Sequence, residues 1–264
     1  MSPDPGKNVP KETGPIAIVE GEVYPDRVRS SHRFIGPDYA LIDDFPYPDD
    51  LEASARAQEE QLLQIDRLLK NAVHIRSLEA ESSHQLLEIH LDVESLINGH
   101  RVPTGFTSER QLWISLQVYN MQNELLFQTG GLDANGDLLD SHSAFVRDGS
   151  IAQDQYLVNF QSKNWVVSRQ YSENGALLPQ HDGRTEYETI FPFDADNIER
   201  HSLKPLETRR LDFNITVSET GPYRIVATLR YRNLPPYMLR ALHLDALVPR
   251  LKIFDIDSEE LIVQ

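Results

Sequence analysis

Apolar residues fall at Leu51, Ala55, Leu62, Ile65 and Leu69, with Glu59, Glu60, Asp66 and Arg67 set between them. This spacing lines the apolar positions along one side of a helix from Asp50 to about Lys70, and Asp49 or Asp50 supplies an N-cap carboxylate. Beyond Asn71 the period shortens to alternating or wholly apolar runs. They are residues 72–78, 85–93, 111–119, 124–128, 154–160, 165–169, 209–217, 223–231 and 250–256. Roughly nine short runs with polar connections predict a mainly β chain, a β-sandwich of Ig-like general architecture. Asn123 and Gly221-Pro222 mark turns between paired runs.

Pro235 and Pro236 open a stretch of good helix formers, which predicts a short helix before the last strand. The tail ending in Leu261-Ile262-Val263 suits an edge strand or a docking segment. Residues 171–208 read as a long irregular excursion and a candidate contact surface.

Residues 1–50 carry eight prolines, a density that excludes a continuous helix or a central strand. Apolar anchors at Ile16–Val19, Tyr24, Phe34-Ile35, Tyr39–Ile42 and Phe45 predict that this extended arm lies on a surface, its own or a partner's. The expected organisation is an arm over 1–49, a helix over 50–71 and a β-sandwich over 72–264.

With 264 residues and 40% hydrophobic content, the chain can bury a substantial core. A formal net charge of −16 disfavours nucleic acid and anionic membrane surfaces and favours basic partners. No apolar run reaches the length of a membrane span, and Met1–Gly6 lacks the pattern of a secretory signal. There is no cysteine, which excludes disulfides and any thioether-attached haem. No Gly-x-Ser-x-Gly, His-Glu-x-x-His or phosphate-loop pattern is found, and Ser141-His142 are only sequence neighbours, so the expected protein is non-catalytic.

Six segments stand in order along the chain: Ser31-His32-Arg33-Phe34-Ile35-Gly36; Gly99-His100 with Pro103-Thr104-Gly105; Thr129 to Leu138; Asp140-Ser141-His142; Asn159 to Lys163; and Leu229 to Pro236. Together they resemble the β-rich, haem-free C-terminal region of bacterial multihaem cytochromes c, without its Cys-x-x-Cys-His part. The resemblance implies a haem-free subunit or domain of a multihaem cytochrome c electron-transfer complex. Such a subunit would scaffold and shield the haem c groups of a partner chain in a hetero-oligomer, in the periplasm or outside the cell. It also implies distal histidines given in trans, since the second axial imidazole of a low-spin haem need not share the haem's chain. His32 is the first candidate, His100 the second and His142 the third. Gly99 leaves room for a macrocycle beside His100, and Pro103 stiffens the turn. A carbonyl, or a carboxylate such as Asp38 or Glu109, would fix the ring's tautomer. His74, His84 and His90 read as ordinary strand residues, and Trp113, Trp165, Tyr119, Tyr156 and Phe160 as core or sheet-face residues.

A second reading starts from Asp133, Asn135 and Asp137, oxygen donors at alternate positions around Gly136 in the manner of calcium loops. It makes the chain an extracellular, calcium-dependent adhesion or ligand-binding sandwich. The bidentate glutamate of an EF-hand is missing, because the twelfth position from Asp133 is Ala144, and an Asn-Gly turn explains the same residues without metal. A third reading is a structural remnant of a cytochrome that lost its haem module.

Overall fold

The computed structural model describes residues 36–167, 192–217 and 221–264, together with the strands within 13–28 and the strand 186–189. Met1–Gly36 forms one unit and Pro37–Gln264 another. In the first, Thr13–Pro15 (β1) pairs antiparallel with Asp26–Val28 (β4), and Ile18–Val19 (β2) pairs with Glu22–Val23 (β3). Among its described residues the proline-rich stretch shows short local pairings, in keeping with the donors its prolines lack. His32 lies outside the described residues.

The second unit opens with helix α1, Leu51–Lys70. Asp50 caps it, its carboxylate accepting from Ala53 N at 2.9 Å, while Arg67 and Lys70 oppose the dipole in the last turn. Its inward face sets Ile65 and Leu69 into the same core as the strands that follow.

One sheet orders Thr208–Thr216 (β12), Leu86–Ser95 (β6) and Val73–Ser83 (β5). The other orders Phe254–Val263 (β14), Tyr223–Arg232 (β13), Gln111–Tyr119 (β7) and Leu125–Thr129 (β8), and all its pairings are antiparallel. Leu87, Ile89, Leu91 and Val93 of β6 are buried in alternation, as are Tyr223, Ile225, Ala227, Leu229 and Tyr231 of β13. Period-two burial from both sheets meets in one core, which gives the mainly β, sandwich-like fold expected from the sequence. A third, small sheet places Lys163–Val167 (β9) between Glu186–Thr189 (β10) and Asn197–Glu199 (β11). This gives local order to part of the excursion.

Three expectations are corrected. Residues 154–160 form no strand: they meet β7 only through Ile114 N to Val158 O, Phe160 N to Leu112 O and the bridge Trp113–Asn159, beside the part of β7 that β8 leaves unpaired. The last strand begins at Phe254, because the chain before it winds into a 3₁₀ turn over Asp245–Arg250. His84 sits in the two-residue turn between β5 and β6 at φ 58°, not in a strand.

The end of the arm belongs to the second unit. Asp43 pairs with Arg250, Asp38 with Arg110, and the Tyr39 ring meets Phe254 edge-on at 6.1 Å.

Candidate functional site

β7 is buried on both faces. Leu112, Ile114 and Leu116 point into the sandwich core, while Gln111, Trp113 and Ser115 are buried on the opposite side. On that second side Gln111 bonds Gln161 and Arg232, and Trp113 bonds Gly130, which brings together residues of three of the six segments singled out above.

Arg232 ends β13 directly opposite Gln111 and is 2% exposed. Its Nε donates to Gln111 Oε1 at 3.0 Å and its Nη1 to the Gly136 carbonyl at 2.7 Å, with the guanidinium 5.5 Å from the Trp113 ring. Burial lowers its pKa to about 10, against the pull of Asp137. Trp113 Nε1 donates to Gly130 O at 3.1 Å. Gly130 itself has φ +69°, and a Cβ there would stand 1.9 Å from Ile114 O.

The short helix α3, Pro236–Ala241, carries Tyr237 and Arg240 over this layer. Tyr237 N donates to Asp137 Oδ1 at 2.9 Å, its hydroxyl accepts from Gln161 Nε2 at 3.0 Å, and Arg240 pairs with the other Asp137 oxygen. Burial pushes the Asp137 carboxyl up, and Arg240 draws it back. The second Asp133 oxygen accepts from Ser143 Oγ, while the first accepts the amides of Asn135 and Asp137. The loop's two aspartates are therefore engaged by protein donors, and no group of three or more His, Asp or Glu among the described residues is placed to hold a metal ion.

His142 stands at the edge of the layer. Nδ1 lies 3.1 Å from Asp140 Oδ1 and Nε2 lies 2.9 Å from Glu188 Oε2. Both partners accept only, so both ring nitrogens donate and the ring is an imidazolium. Burial opposes that charge, but the two carboxylates outweigh it and raise the pKa to about 9. Burial likewise works against the charge on Asp140, and the hydrogen bonds from His142 hold that carboxyl below its usual range. In this arrangement His142 offers no free nitrogen to a metal. Glu188, Tyr237, Gln161, Arg232 and Arg240 were not legible as partners; Glu188 in particular lies within the irregular excursion.

His100 differs. It is exposed in the loop between β6 and β7, and its Nδ1 lies 2.9 Å from the carbonyl of Arg101. A carbonyl only accepts, so Nδ1 donates to it, and for Nε2 no hydrogen-bond partner is found among the described residues. The loop is held by Arg110, which donates to Thr104 O and pairs with Asp38; the tautomer is set by the backbone, not by Asp38 or Glu109. Of the other histidines, His90 pairs with Asp212 and His74 with Glu94 across β-ladders.

No family model and no curated protein matches the chain. Among solved structures it is similar to a penta-heme cytochrome c552 from Thermochromatium tepidum, with 18% identity and a TM-score of 0.48, covering 75% of this chain and 41% of that one. The chain thus corresponds to less than half of that cytochrome's length. At this identity and overlap the likeness transfers no function. No described helix is long and apolar enough to cross a membrane.

Proposed function

We propose that this chain is a haem-free, non-catalytic β domain or subunit of a multihaem cytochrome c electron-transfer assembly. It scaffolds and shields haems carried by a partner and offers His100 as a distal ligand in trans. The observation that carries the reading is the setting of His100: an exposed imidazole whose Nδ1 donates to a backbone carbonyl and whose Nε2 has no partner among the described residues. Ligating histidines are oriented in this way, because a hydrogen bond from the far nitrogen fixes the tautomer and raises the basicity of the near one. The ordered segments quoted above and the lack of any cysteine agree with a haem attached elsewhere.

The mechanism is indirect. Ligand identity and burial set the haem potential, and carboxylates beside the haem stabilise its more positive oxidised state. The net charge of −16 acts in that direction and steers a basic partner. The test is co-purification of the chain from its native host with a reduced-minus-oxidised spectrum of the isolated complex. A haem c partner in fixed ratio is expected; a colourless chain that binds no haem protein would remove the reading.

A further inference from the structure

A cleft of about 330 Å³ opens beside the loop that carries His100, between residues 101–108, β9 and the chain after β11. Among the described lining residues are two arginines, Arg101 and Arg200, and the hydroxyl-bearing Thr104, Thr107 and Ser162, and none of them is a carboxylate. In a chain with 41 acidic against 25 basic residues, that local balance is unusual.

The site is partly prearranged. Arg101 is held by its Nη1, which donates to Ser202 O at 3.0 Å, so its remaining donors are fixed in direction. Ser162 is 1% exposed, yet its Oγ has no partner among the described residues. A buried hydroxyl without a partner carries a standing desolvation cost, which an acceptor that reaches it from the cleft it lines would relieve. Gly105, at φ +74°, lets the backbone bend at the rim. Ile198 and Pro192 give the cleft an apolar wall.

We propose that this cleft binds a small organic anion, its phosphate or carboxylate head held between Arg101 and Arg200 with the Ser162 hydroxyl donating to it, and its carbon skeleton against Ile198. Forked guanidinium groups suit planar or tetrahedral oxyanions, and the volume suits a metabolite-sized ligand. This site stands independently of the haem-related reading above.

The test is titration of the full, isotope-labelled chain with inorganic phosphate, glycerol 3-phosphate, acetate and neutral glycerol, followed by amide resonances. Saturable shifts at Arg101, Thr107 and Ser162 are expected with the anions and not with glycerol, and the stronger of phosphate and acetate identifies the head. Ser162→Ala and Arg200→Gln should each weaken binding roughly tenfold or more, while Arg224→Gln, on the β13 sheet face, should not. Absence of saturable shifts in the unaltered chain up to tens of millimolar would overturn the proposal, as would affinities that Ser162→Ala and Arg200→Gln leave unchanged.

Discussion

The rings of His142 and Tyr237 are stacked, 3.9 Å between centroids and 9° from parallel, although 95 positions separate them in sequence. An imidazolium on a phenol face, clamped between Asp140 and Glu188, locks α3 to the loop that precedes α2 (Ala144–Arg147).

The clamp makes stability depend on pH. The folded pKa of His142 is raised to about 9 from 6.5, so its contribution is fully present below pH 6.5 and fades as pH rises through 9. The shift corresponds to roughly 3 kcal/mol at most. Urea unfolding between pH 6 and 9.5 should show this loss, and His142→Gln should flatten that slope. Equal slopes for both proteins would remove the clamp.

Tyr237→Phe keeps the stacked ring but removes the hydroxyl that accepts from Gln161. A cost of about 1–2 kcal/mol is expected. Tyr237→Ala removes the ring as well, and a thermal scan should place it about 2 kcal/mol or more below Tyr237→Phe.

Arg232→Lys keeps the charge and loses the fork shared by Gln111 and Gly136. A destabilisation of about 2–4 kcal/mol follows from leaving buried acceptors unsatisfied. Arg230→Lys, on the exposed pair with Asp255, should stay within about 1 kcal/mol of the unaltered chain in the same measurement.

Gly130→Ala and Gly149→Ala form a matched pair, since both glycines have positive φ, +69° and +80°. The added methyl meets Ile114 O at 1.9 Å in the first and open space in the second. Gly149→Ala should cost about 1 kcal/mol. Gly130→Ala should cost several times that or prevent folding, which soluble yield and near-UV dichroism will show.

The strands were legible both where burial alternates, as in β6, and where a run is apolar enough to be buried on both faces, as in β7. Residues 111–119 were delimited from the apolar run alone, and the Asp49-Asp50 pair marked the start of the helix by its capping chemistry, with Asp50 the residue that caps it. The pattern misled at Tyr156, Val158 and Phe160, whose alternation reflects packing at the end of β8 rather than a ladder of their own. The site was less legible. His142 and Glu188 lie 46 positions apart, and a single sequence carries no signal that a histidine after an acidic loop will meet a glutamate from an irregular stretch. His100 was marked by its Gly-His-x-x-Pro-Thr-Gly context, but its tautomer depends on a carbonyl that only the folded loop places.

The most direct test is electron paramagnetic resonance of the purified complex at low temperature, with the unaltered chain and with His100→Ala. One partner haem is predicted to pass from a low-spin to a high-spin signal when His100 is replaced, with His142→Gln leaving the spectrum unchanged. A spectrum unaffected by His100→Ala in an intact complex would contradict the assignment of His100 as a ligand in trans.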